Sequence, residues 1–358
     1  GKIFRMSKEK ESIEDIYLGT KEVSENLKFD NNKLQEWLDE NIKSVGRIQT
    51  VEQFKGGQSN PTYKITTENK KLVLRRKPPG KLLPSAHAVD REYRVITALA
   101  ETNVPVPATY GLCEDSDVVG TPFFVMDFLD GKVYWDHMLP SVSKEERIKI
   151  YQQKNQVLAN LHSVDYKKVG LETYGKPGDY VSRQVSRWTK QYLASETDSI
   201  PAMNNLIEWL PANIPNEDET TIVHGDFRLD NMIYKNHEVI GVLDWELSTL
   251  GHPIADFSYH CLTWRTLPAM QDLKLLKELG IPSEVEYRDM YSENTGKDLS
   301  KNWEFYMVFN IFKVAAICQG ILGRVRDGTA SSKHAEERGM QVYPLSKGAW
   351  SIVEAYFK

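Results

Sequence analysis

The sequence predicts an α+β protein of two lobes, a small antiparallel-sheet lobe followed by a larger, mainly helical one. Three observations point there. At 358 residues the chain exceeds the roughly 250–300 residues at which a single hydrophobic core stops growing. From 45 to 130, short β-branched and aromatic runs are separated by turn residues. Beyond 131, apolar residues recur mainly at helical intervals.

Residues 1–44 read as an N-terminal helical extension. Its first twenty residues are charged and weakly patterned, whereas NNKLQEWLDENI sets Leu34, Trp37, Leu38 and Ile42 at helical spacing. In 45–130, GRIQTVEQF, TYKITT and KLVLRR read as an antiparallel meander, with the loop KGGQSN between the first two. The loop KPPGKLLP leads into a helix carrying Val89, Tyr93, Ile96 and Leu99. VPVPATYGLCED and TPFFVMDFLDG then read as two further strands. In 131–358 a helix opens at Ser143 with Glu146 three positions on, a capping box. TIVHGDFRLDNMIYKNHEVIGVLDWE reads as strand, loop, strand, turn and strand, and the remainder as helices.

With 45 basic against 50 acidic residues, the chain offers no global electrostatic attraction for nucleic acid or an anionic membrane. Cys113, Cys261 and Cys318 are far apart and lack CxxC spacing, so neither a disulfide framework nor a zinc site is expected. The start lacks the apolar stretch of a signal peptide, and no run of about 18 apolar residues is read, so a cytoplasmic protein is expected.

HGDFRLDN places Asp226 five positions before Asn231, and Asp244 closes the apolar run VIGVLDW. Phosphoryl transfer requires a carboxylate to orient and deprotonate an attacking hydroxyl, and oxygen ligands to hold magnesium on the phosphates. A lone aspartate in a loop is usually a turn former, but this trio in strand contexts supplies every one of those parts.

These residues resemble the catalytic loop and metal-binding aspartate of the protein-kinase-like superfamily. Gly225 and Trp245, where protein kinases carry Arg and Phe, make the chain similar to the aminoglycoside phosphotransferase and choline kinase branch. The resemblance implies a protein-kinase-like two-lobed fold, with 45–130 as the nucleotide-binding N-lobe and 131–358 as the catalytic and substrate-binding C-lobe. It implies ATP and Mg2+, Asp226 as catalytic base, Asn231 and Asp244 as metal ligands, and His224 as a residue shaping the loop. Gly56, Gly57, Gln58, Ser59 and Asn60 are expected to approach phosphate through backbone amides, although a GG turn is also ordinary hairpin chemistry. Arg75 stands where the superfamily's strand lysine would, with Arg76 as the alternative inward residue, and Glu92 matches the ion-pair partner. Met126, Asp127 and Phe128 fit the hinge that takes adenine. Asp256 either steadies the catalytic loop or caps a helix.

The resemblance implies a small-molecule hydroxyl compound as substrate. Arg183 and Arg187, interleaved with Tyr180, Trp188 and Tyr192, together with Arg324, suit an anionic acceptor better than a polycationic one. LRRKPPGKLLPSAHAVDREYRV looks like the kinase-like domains fused to acyl-CoA dehydrogenases, which implies a hydroxyacyl-CoA or other anionic hydroxy acceptor and a functional link to such a dehydrogenase. An aminoglycoside or choline-type phosphotransferase is the alternative. Outside that class stand a nucleotide-binding pseudoenzyme and a metal-dependent phosphohydrolase.

Overall fold

The β-branched and aromatic segments after Val45 pair as expected. In the computed structural model, which describes residues 19–56, 60–82, 88–330 and 332–358, they belong to a six-stranded antiparallel sheet. Its strands are β1 (Thr20–Lys21), β2 (Ile48–Phe54), β3 (Thr62–Thr67), β4 (Lys71–Arg76), β5 (Thr109–Cys113) and β6 (Phe123–Asp127), in the order β1-β2-β3-β4-β6-β5. Strand β1 is an addition to the expected meander; it pairs with β2, Thr20 opposite Phe54.

Helix α1 (Asn31–Asn41) is capped by Asp30, whose side chain accepts from Asn32 N at 2.8 Å. Its apolar stripe, Leu34, Leu38 and the following Ile42, packs with Tyr63, Ile65, Leu72, Leu74, Phe123 and Val125 of the sheet. Helix α2 (Val89–Leu99) buries Val89, Val95, Ile96 and Leu99 and, among them, the charged Glu92. Helix α3 (Lys144–His162) begins with the expected capping box between Ser143 and Glu146.

Further along, β7 (Thr221–Val223) pairs with β10 (Thr249–Gly251), while β8 (Met232–Lys235) and β9 (Glu238–Val242) form a hairpin between them in sequence. Asn236 and His237 join β8 to β9, both with positive φ, 51° and 64°. That is the requirement of a type I′ turn, which matches strand twist and fixes the hairpin register. Gly131 is needed for close approach: a Cβ there would meet Tyr234 O at 2.6 Å.

The contacts define two compact units. The first holds the chain through Tyr174, Asp226–Ser248 and Lys274–Pro282; the second holds Gly175–Gly225, Thr249–Leu273 and Ser283–Lys358. The sheet, α1, α2, α3 and the β8–β9 hairpin therefore share the first unit. In the second unit are α4 (Tyr180–Ser195), α5 (Pro201–Ala212), α6 (Pro253–His260), α7 (Glu284–Thr295), α8 (Trp303–Arg326) and α9 (Val342–Phe357). Helix α8 corrects one expectation. By length and composition it is apolar enough to cross a membrane, and 72% of that window is buried inside the protein. Its apolar residues run all round, as in a core helix.

In the first unit, His137 Nδ1 is buried with no hydrogen-bond partner among the described residues. Burial, with Lys154 and Arg228 adding, pushes the imidazole down to about 3. The folded state thus keeps His137 neutral while the unfolded chain takes up a proton below about pH 6.5, so stability falls as pH drops from there towards 3, by up to about 1.4 kcal/mol per pH unit. Thermal unfolding of His137→Gln should accordingly lose less Tm than the parent between pH 7 and pH 4.5; equal losses would remove His137 from the acid sensitivity.

Candidate active site

Strand β7 ends just before His224 and Gly225, whose backbone N–H groups donate to the two oxygens of Asp256, at 2.9 and 3.0 Å. Asp256 is buried in the first turn of α6, and the cap of that helix is His252, whose Nδ1 accepts from Ile254 N. Of the two sequence readings of Asp256, the geometry therefore gives the loop anchor. Gly225 has φ 87°, a left-handed backbone suited to glycine, at the residue before Asp226.

Within the first unit, Asn231 Nδ2 donates to Asp226 O at 2.8 Å and to Asp226 Oδ2 at 3.3 Å. Leu243 N donates to Asn231 O at 2.8 Å, which ties the residue before Asp244 to the same loop. Asp244 has φ 59°, left-handed for a non-glycine residue. Such backbones cost of order 1–3 kcal/mol and persist where the surroundings over-determine them. Here the surroundings are the β9 hairpin and Trp245, a buried indole donating to Val242 O at 2.9 Å. Trp245 fills its niche as an anchor, which accounts for the large ring at this position.

A cavity of about 490 Å3 opens in this unit. Gly56, Arg75, Glu92, Met126, Asp127, Phe128, Asn231 and Asp244 all line it, so eight residues singled out from sequence are brought together. Asp226 adjoins it through Asn231. Asn60 is buried without lining the cavity, and Gly57, Gln58 and Ser59 lie outside the described residues. The walls between the polar groups are apolar, including Val73, Ile96, Leu129 and Leu243, as in small-molecule pockets generally. The N–H groups of Asp127 and Phe128 are already donated to Ala108 O and Lys71 O, so any adenine bonding by this segment uses its other backbone groups.

Arg75 meets Glu92 in a bidentate pair, Nε to Oε2 at 2.8 Å and Nη2 to Oε1 at 2.9 Å. Burial pushes the Glu92 carboxyl up, Asp244 and Glu246 push the same way, and Arg75 opposes them. Burial works against the Arg75 guanidinium as well, but Glu92 more than offsets it. Arg76 instead donates to Val119 O at 2.8 Å and is absent from the cavity lining, which settles which of the two arginines faces Glu92.

Sequence reasoning missed three charged neighbours. Arg228, half exposed, reaches Asp226 Oδ1 with Nε at 3.0 Å and Asp230 Oδ2 with Nη2 at 3.6 Å. Asp230 lines the cavity, and burial raises its carboxyl while Arg228 opposes. Carboxylate oxygens of Glu92, Asp244 and Glu246 lie within 4.8 Å of one another. Arg228 and Asp230 stand inside HGDFRLDN itself, so their nearness to Asp226 was available from spacing. Asn231 and Asp244 supply hard oxygen donors, the type that suits magnesium, and the Glu92 and Glu246 carboxylates add negative charge beside them.

Residues 50–290 match the phosphotransferase enzyme family, well over half of the chain, and the chain belongs to that family. It is 48% identical to acyl-CoA dehydrogenase family member 10 of Mus musculus over 86% of this chain, and spans 30% of that protein's length. A crystallised protein of Ralstonia eutropha, provisionally named an aminoglycoside phosphotransferase, is 47% identical with a TM-score of 0.85, over 92% of this chain and 99% of that one. A thermostable mutant of aminoglycoside phosphotransferase APH(4)-Ia, crystallised with ADP and hygromycin B, shares the fold at 13% identity and a TM-score of 0.59, over 90% and 98% of the two chains. The fold is thus the kinase-like one, an antiparallel-sheet N-lobe and a helical C-lobe.

The three cations expected to meet the acceptor are divided between two recesses that adjoin at Gln191. Arg183 and Arg187 line a recess on α4, whereas Arg324 lines a second recess between α4 and α8. Arg183 is also committed locally, donating to the carbonyls of Gly178 and Lys176.

Proposed function

We propose that this chain transfers the γ-phosphoryl group of ATP to a hydroxyl of an anionic small molecule, with hydroxyacyl-CoA as the acceptor class. The observation that carries the transfer is the convergence of Asp226, Asn231 and Asp244 beside one cavity that also holds the Arg75–Glu92 pair. ATP as donor is supported by the apolar slot between polar walls and by a fold neighbour crystallised with ADP. The acceptor class is supported by the acyl-CoA dehydrogenase name of a relative at 48% identity, and by the cations of α4 and α8. The same relative supports a functional link to such a dehydrogenase.

In this reading the segment 45–130 carries the nucleotide groups, Gly56 to Asn60 through backbone amides and Arg75 through its charge, while Met126 to Phe128 border the base. Asp226 accepts the hydroxyl proton. Its carboxylate is held by Asn231 on one side and Arg228 on the other, which fixes the direction in which its lone pairs point. Asn231 and Asp244 hold magnesium, which when bound neutralises phosphate charge. Positioning and charge neutralisation supply most of the acceleration.

The test follows ADP and phosphorylated product by mass spectrometry with Mg-ATP and a panel of hydroxyacyl-CoAs, free hydroxy acids, aminoglycosides, choline and sugars. Product from hydroxyacyl-CoAs alone supports the reading; product only from aminoglycosides or choline replaces the acceptor. ATP bound without any product favours a pseudoenzyme, and ester cleavage without ATP favours a phosphohydrolase. Asp244→Ala should raise the magnesium concentration needed for half-maximal nucleotide binding by about tenfold or more, the effect of losing one charged ligand. An unchanged magnesium titration would remove Asp244 from the metal site.

A further inference from the structure

The second unit carries a cationic groove that no part of the phosphotransfer chemistry uses. The two recesses noted above, of about 570 and about 720 Å3, adjoin at Gln191, which lines both, along α4 and the end of α8. Helical spacing puts Arg187, Lys190 and Gln191 on its α4 side, and Arg324 and Arg326 come from the last turns of α8. Gly323 lets the helices approach, since a Cβ there would meet Ser195 O at 3.0 Å.

Surface cations in a protein of net charge −5 ordinarily find carboxylates. Among the described residues, Arg187, Lys190, Arg324 and Arg326 form no ion pair. Like charges gathered with no carboxylate at ion-pair distance repel one another, and an anion entering the groove relieves that repulsion. Two carboxylates also line the larger recess, Glu196 and Asp327. Asp327 is turned into its own loop, accepting from Thr329 N at 3.0 Å and Thr329 Oγ1 at 2.7 Å.

An aromatic platform completes the groove. The half-buried Trp188 ring has the Arg187 guanidinium 5.2 Å and the Lys313 ammonium 5.8 Å from its centroid, and its N–H is already donated to Gln184 Oε1 at 3.1 Å. With its N–H occupied, the indole can take a ligand only on its face, where an electron-rich ring would replace the Arg187 or Lys313 cation and free it for the attached phosphates.

We infer that the groove between α4 and α8 binds a nucleoside polyphosphate, its base on Trp188 and its phosphates among Arg187, Lys190, Arg324 and Arg326. Resting on the acceptor reading above, this ligand is the nucleotide end of the acyl-CoA. The groove would then be a handle that selects thioesters over free hydroxy acids.

Calorimetric titration of coenzyme A into the full chain saturated with Mg-ADP tests it. One coenzyme A should bind despite the ADP, and its Kd should rise about tenfold or more in R324Q/R326Q and in R187Q/K190Q, with the Kd for Mg-ADP unchanged. Trp188→Leu should weaken coenzyme A in the same way, at any ionic strength, whereas the arginine effects shrink as salt screens them. Three results would overturn the inference: no coenzyme A binding, binding abolished by ADP, or affinity unaltered in both charge variants. A second equivalent of ADP lost with the same substitutions would overturn the assignment to the acceptor. Because binding is read without turnover, loss of the kinase reading would show separately, as absent ADP formation.

Discussion

Asp226→Asn should lower turnover by about 10²- to 10⁴-fold, the usual contribution of a positioned general base, while Mg-ATP affinity stays within about twofold. The amide keeps the size of the carboxylate, so Asn231 can still donate to the main-chain oxygen of residue 226. What disappears is the basic lone pair and the charge that Arg228 faces at 3.0 Å. Single-turnover rates with saturating acceptor, set beside nucleotide Kd values, separate the two. A rate within a few-fold of the parent would dismiss Asp226 as base, whatever the neighbourhood looks like.

The second large effect concerns stability. Arg75→Met should destabilise the protein by about 3–5 kcal/mol, because it leaves the Glu92 carboxylate buried without its counter-charge. Both side chains are nearly inaccessible, at 8% and 2% exposure, so solvent cannot compensate. The double replacement Arg75→Met with Glu92→Leu should recover most of that loss, since removing both charges leaves no orphan. Urea unfolding of the three proteins provides the comparison. If the single and double variants were equally unstable, packing and not charge would be what the pair supplies. Activity should fall in both variants, which keeps the stability result apart from the role proposed for Arg75 at phosphate.

Much of this site was legible because the chemistry fixes residue type and spacing together. HGDFRLDN and the aspartate of VIGVLDW marked the loops that meet beside the cavity, and the Gly56, Arg75 and Glu92 positions followed from strand and helix patterns that are local. What escaped depended on which groups the fold pairs, information that residue type alone does not carry. The N–H groups of Asp127 and Phe128 looked available in sequence, but β-strand register commits them to Ala108 and Lys71. Arg75 and Arg76 were indistinguishable by type; strand alternation turns the first to Glu92 and the second to Val119. Arg183 read as a substrate cation, yet the turn before α4 takes it up through carbonyl groups, a use that composition does not reveal. Helix α8 hid its character because its apolar residues fill all sides, leaving no stripe to find.

The left-handed backbone at Asp244 places this chain under two opposed selections. A glycine there would be more comfortable at φ 59°, so a lineage judged only on surviving heat would drift toward it. If Asp244 holds magnesium as proposed, its carboxylate is what this awkward backbone serves, and sampling this codon in thermally selected libraries would expose the conflict directly.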